Sequence, residues 1–123
     1  KLMFKMKYSS NFEYDLQIGQ IKEKELGNIF SNKKIEVKTD LQAVETGRVF
    51  VEYESRNKPS GIATTEADFY CFVISEFSYI LIETKELKKK CRSLLNTELD
   101  VKGGDNNTSK GILLPVLQLC INI

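Results

Sequence analysis

The stretch KIEVKTDLQAVETGRVFVEYE, residues 34–54, decides how the chain is read. Ile35-Glu36-Val37-Lys38-Thr39-Asp40 reads as one short strand, and Arg48-Val49-Phe50-Val51-Glu52-Tyr53-Glu54 as a second. Thr46-Gly47 marks a turn before the second strand. Side chains on a strand alternate between two faces. Glu36, Lys38 and Asp40 therefore share a face opposite Ile35 and Val37. Phe50, Glu52 and Glu54 share a face opposite Val49, Val51 and Tyr53. Pairing the two strands as neighbours, polar faces aligned, brings Asp40, Glu52, Glu54 and Lys38 together. Buried like charges are costly. A hard divalent cation such as Mg²⁺, which takes oxygen ligands, is the usual compensation. The expectation is a metal-dependent phosphodiester-cleaving site on a small sheet.

On the N-terminal side, residues 1–14 form a mixed lead-in carrying Phe4, Tyr8, Phe12 and Tyr14. Asp15 to Phe30 has helical spacing, with Leu16, Ile18, Ile21, Leu26, Ile29 and Phe30 as an apolar stripe. On the C-terminal side, Ser55 to Ala63 reads as a turn-rich loop holding Arg56 and Lys58. Thr64 or Thr65 can cap a short helix through Glu66-Ala67-Asp68. Phe69–Ile74 and Tyr79–Glu83 suit strands, Lys85–Leu95 a helix, and Ile112–Val116 a last strand. Val101 to Gly111 reads as a long polar loop. The order α-β-β-(α)-β-β-α-β predicts an α/β domain over residues 1–123, with one mixed sheet of four to five strands flanked by helices.

Composition narrows the chemistry. The chain of 123 residues is sized for one domain with one core. Its net charge of +1 rules out a bulk electrostatic argument for nucleic acid, so any such contact needs a local patch. There is no histidine. That excludes Ser-His and Cys-His nucleophile pairs and HExxH zinc chemistry. Hydrolysis would have to use carboxylates, lysine and activated water. Cys71, Cys91 and Cys120 lack ligand spacing and read as free thiols of a reducing compartment. No apolar run nears the roughly 20 residues of a membrane span. No signal-peptide pattern opens the sequence. The expected location is therefore cytoplasmic.

These residues carry a resemblance. A helix with an acid, a strand ending in an acid and a strand carrying Glu-x-Glu resemble the PD-(D/E)XK nuclease superfamily, which includes restriction endonucleases and junction-resolving enzymes. Glu36-Val37-Lys38-Thr39-Asp40, Thr46-Gly47, Glu52-Tyr53-Glu54 and Lys58-Pro59-Ser60-Gly61-Ile62 are similar in particular to small phage-encoded members. The similarity covers roughly residues 15–90. It implies a restriction-endonuclease-like fold and Mg²⁺-dependent cleavage of double-stranded or branched DNA, with Mn²⁺ able to substitute. It also implies that the product carries a 5′-phosphate. Asp40, Glu52 and the helix acid Glu23 match the family's metal ligands. Glu54 departs from the pattern, because most members place lysine there; Lys38 could supply that ammonium. A rival register takes Glu36-x-Lys38 as the second-strand motif, with Asp15 as the first acid.

Arg56 and Lys58 follow the catalytic strand directly and are the leading candidates for phosphate contacts. Lys34, Ser60, Lys88 and Lys89 complete the candidate nucleic-acid set, although a row of lysines on a helix is also an ordinary solvated face. One module of this size covers a short stretch of one strand, so a homodimer is expected. Two other readings fit the same residues. One is a DNA-binding or scaffold protein that keeps the fold without the chemistry. The other is a protein-interaction domain whose charged alternation is only a solvated sheet face.

Overall fold

The computed structural model describes residues 8–121. The chain divides into two compact units, 1–33 and 34–123. The described part of the first unit is one helix, α1, Tyr8–Asn32. It begins earlier than expected and takes in half of the lead-in; residues 1–7 lie outside the described residues. The apolar positions do not form one narrow stripe. At ~100° per residue, Leu16, Ile18, Ile21, Leu26, Ile29 and Phe30 spread over about 220° of the circumference. The helix is supported locally by a Lys22–Glu25 ion pair of 3.0 Å. At its end the Asn32 side-chain Nδ2 donates to Asn28 Oδ1 at 2.6 Å.

The second unit carries two sheets rather than the single one expected. The first has three strands: β1 (Ile35–Thr39), β4 (Phe69–Val73) and β5 (Tyr79–Glu83), in the order β1-β4-β5. β1 runs parallel to β4, and β5 antiparallel to it. The second sheet has four strands in the order β3-β2-β7-β6, all antiparallel. They are β2 (Arg48–Ser55), β3 (Lys58–Pro59), β6 (Asp100–Gly103) and β7 (Ser109–Pro115). A short helix, α2 (Ala43–Thr46), leads from β1 to β2 and ends at Gly47, whose φ of 72° suits a residue without Cβ. The polar loop expected over 101–111 is instead a hairpin, β6 to β7, tipped by a 3-10 turn at Asp105–Asn107.

Apolar alternation explains where the core lies. Val49 and Val51 on β2 face Ile112 and Leu114 on β7, and all four are at most 3 % exposed. Tyr70 and Phe72 on β4 and Ile82 on β5 bring the other sheet into the same cluster. α3 (Thr84–Ser93) adds Leu87 and Cys91, one turn apart, while Lys85 and Lys89 stay outside. α4 (Val116–Cys120) adds Leu119. The expected helix at 66–68 does not form. There the Thr65 hydroxyl accepts from the Ala67 amide at 3.1 Å, and the Asp68 carboxylate accepts from the Lys34 amide at 2.9 Å. Such side-chain bonds offer the backbone an alternative to the helix.

Candidate functional site

β1 and β2 are not neighbours. β1 pairs with β4 and β2 with β7, so the expected hairpin bringing Asp40 beside Glu52 is absent. What the fold brings together is a smaller set. Glu36 and Lys38 lie in register with Tyr70 and Phe72, on the side of the three-stranded sheet that faces the core. The apolar Val37 points the other way and is 58 % exposed. Lys38 and Glu52 then line one cavity of about 200 Å³, floored by Phe50, Tyr70 and Phe72. Two residues read from separate strands thus meet across the sheets rather than along one hairpin.

The Glu52 carboxylate is held at both oxygens. Ser60 Oγ donates to Oε2 at 2.8 Å, and Ser109 Oγ donates to Oε1 at 2.8 Å. Hydrogen bonds to an ionised acceptor are the stronger kind. Ser60 is placed by its own amide, which donates to the Tyr53 carbonyl at 3.1 Å. Gly61 makes the close approach possible. Its φ is 53°, and a Cβ there would stand 2.3 Å from the Glu52 carbonyl oxygen. Only glycine meets both demands at no cost. Ser60, an expected phosphate contact, donates its hydroxyl to Glu52.

Glu54 does not share the face of Glu52. The ladder slips between them, so Glu52 lies opposite Gly111 while Glu54 lies opposite Lys110. Gly111 and Lys110 are consecutive on β7 and point to opposite faces, and their partners follow. The expectation of one acidic face on β2 is corrected by this bulge. Glu54 instead pairs with Lys110 at 3.8 Å. Lys38 pairs with Glu36 at 3.2 Å. Asp40 lies just past β1, where its Oδ1 accepts from the Gln42 amide at 3.2 Å. Glu23 is on α1, in the other unit.

The candidate cations are scattered. Lys34 pairs with Glu66 at 3.7 Å, and Lys89 with Glu86 at 3.6 Å. Lys88 lines a mainly apolar cavity of about 310 Å³ beside Ile62 and Cys91. Lys58 is an exposed residue of β3. Arg56 sits in the β2–β3 turn with φ 50°, beside Asn57 with φ 66°. Two consecutive left-handed residues define the mirror-image turn that suits a two-residue hairpin.

Family models, curated proteins and solved structures were all compared with the chain, and none matches. The site is therefore read from its own geometry. Among the described residues no three His, Cys, Asp or Glu side chains come together to hold a metal ion. Mg²⁺ that arrives with a phosphate needs only one or two carboxylates, since water and phosphate fill the remaining positions. Glu52 fits that lesser requirement: an ionised carboxylate has about four lone-pair sites, and the two serines occupy two. Asp40 keeps Oδ2 clear of the Gln42 amide.

Sequence reasoning missed Ser109, Asp100 and Lys110. Tyr53 donates to Asp100 Oδ1 at 2.6 Å, and Asp100 Oδ2 accepts from the Asn96 amide at 2.8 Å. That hydrogen bond first, then burial and the nearby negative charge of Asp100 and Glu54, push the Tyr53 phenol up to about 12. No local motif marks these residues, because their partners lie tens of positions away.

Proposed function

We propose that this protein hydrolyses phosphodiester bonds in DNA with a divalent cation, Mg²⁺ or Mn²⁺. The observation that supports the reading is the Glu52 carboxylate, fixed by Ser60 and Ser109 on the wall of a cavity that Lys38 also lines. A carboxylate held rigidly in a cleft that a lysine also lines is the kind of pre-organisation that charge-building reactions use. Glu52 would hold the cation, with water and phosphate filling its remaining positions. When bound, such an ion polarises phosphoryl oxygens and makes water nucleophilic at neutral pH.

The protein's own residues divide the remaining work. Ser60 and Ser109 keep the carboxylate from rotating. Lys38 neutralises charge on the phosphoryl group once that group displaces Glu36 from its ammonium. Glu54 takes no part in the chemistry, since it faces Lys110 across the sheet. A homodimer would allow both strands to be cut, and sedimentation measures it.

The decisive experiment incubates the protein with supercoiled plasmid and with a four-way junction, with Mg²⁺ and with EDTA. Metal-dependent cleavage that Glu52→Gln abolishes supports the reading. One observation favours a rival, a DNA-binding protein without chemistry: the residue at the family's lysine position is Glu54, tied away from Glu52. DNA binding by the wild type with no cleavage under any metal would establish that rival.

A further inference from the structure

We propose that the cleft between the two hairpin tips of the four-stranded sheet seats a backbone phosphate of nucleic acid, held by Lys102 and Lys110 with Arg56. The inference rests on the proposed function only in taking nucleic acid as the partner. The cleft has a volume of about 350 Å³ and is lined by Arg56, Lys102, Lys110, Glu54, Asn107 and Thr108, among others. Three cations thus face one carboxylate.

The backbone explains why they meet. Lys102 on β6 is in register with Lys110 on β7, and Lys110 with Glu54 on β2. Directly opposite side chains in such a ladder lie about 5 Å apart at Cβ, and like charges so placed repel. Glu54 relieves Lys110 at 3.8 Å, but among the described residues neither Lys102 nor Arg56 has an ion pair. Arg56 is held above the row because its amide donates to the Thr108 carbonyl at 2.9 Å, tying one hairpin tip to the other. Three cations sharing the one carboxylate of Glu54 make a site that an anion would stabilise. The polar walls, Asn107 and Thr108, suit phosphate oxygens better than apolar groups. Ser109, whose hydroxyl holds Glu52, also lines this cleft, so the seat adjoins the segment that anchors the acid.

The test is fluorescence anisotropy with a labelled DNA duplex in EDTA, over a range of salt concentrations. Each phosphate contact contributes roughly 0.9 to the slope of log affinity against log salt. For the Lys102→Gln/Lys110→Gln variant we expect binding about tenfold weaker and a slope lower by about two. Lys102→Arg/Lys110→Arg should bind as the wild type does. Thermal melting confirms that each variant is folded, and Lys102→Gln alone gives the smaller change should the double variant melt early. Unchanged affinity and slope in the double variant overturn the seat, and so does a wild type that binds no nucleic acid. Cleavage with unaltered binding in the double variant refutes the seat alone. Lysine-dependent binding with no cleavage supports the seat and refutes the nuclease reading alone.

Discussion

Ser109 Oγ lies 2.8 Å from Glu52 Oε1 and joins residues 57 positions apart. With Ser60 on the other oxygen, the carboxylate has one serine from each neighbouring segment. A hydrogen bond to a charged acceptor contributes about 1.5–3 kcal/mol. Ser109→Ala should lower stability by about 2 kcal/mol in urea unfolding. Ser60→Ala should cost less, since Ser60 is the more exposed. Because both act on one carboxylate, the double variant should depart from additivity. Strict additivity would mean that the serines do not share a fixed acid.

Gly61→Ala tests the close approach behind Glu52. The added methyl would meet the Glu52 carbonyl at 2.3 Å, with the backbone at φ 53°. Left-handed strain alone is of order 1 kcal/mol for a residue other than glycine. With the steric conflict, a loss of about 2 kcal/mol or more is expected. A melting temperature within about 1 °C of the wild type would disprove the packing described.

Tyr53 supplies a pH dependence whose sign can be worked out. Its folded-state value is about 12 against an ordinary 10, chiefly because the phenol donates to Asp100. A raised value means that the contribution is complete below pH 10 and fades as pH rises towards 12. The wild type should lose stability over that window relative to Tyr53→Phe. Below pH 10 the variant should be the less stable one, by about 1–2 kcal/mol for the lost hydrogen bond. Parallel curves for the two proteins from pH 9 to 12 would contradict the bond.

The three thiols should separate by reactivity. Cys120 is exposed, Cys71 partly covered and Cys91 buried. Burial raises the Cys71 thiol and pushes Cys91 up to about 12. The thiolate is the reactive form. A thiol reagent at neutral pH should modify Cys120 first, Cys71 slowly, and Cys91 only after unfolding. Early labelling of Cys91, read by peptide mass, would mean that α3 does not pack as described.

Much of the element list was legible because it is local. The alternation in Arg48–Glu54, the apolar run at Phe69–Val73 and the spacing of Leu87 and Cys91 each declare their element. Partner choice was not legible. Nothing in Ile35–Thr39 states that it will lie parallel to Phe69–Val73 rather than beside Arg48–Ser55. β6 escaped notice because Asp100-Val101-Lys102-Gly103 runs straight into Gly104-Asp105-Asn106-Asn107, which reads as loop. The bulge at Tyr53 has no signature of its own, yet it moves Glu54 to the other face. The individual candidates Lys38 and Glu52 were within reach of the sequence. The reason they meet, a cavity between two sheets, was not.

The β2–β7 ladder also sets an order of events during synthesis. Strand Arg48–Ser55 has β3 beside it early, but its longer partner begins only at Ser109, and pairing across so long a separation is slow. Until Ser109 has been made and has left the ribosome, Glu52 has Ser60 but no second anchor. The acid therefore reaches its fixed geometry only once β7 has docked on β2, which makes the newest segment of the ladder the one that finishes the oldest.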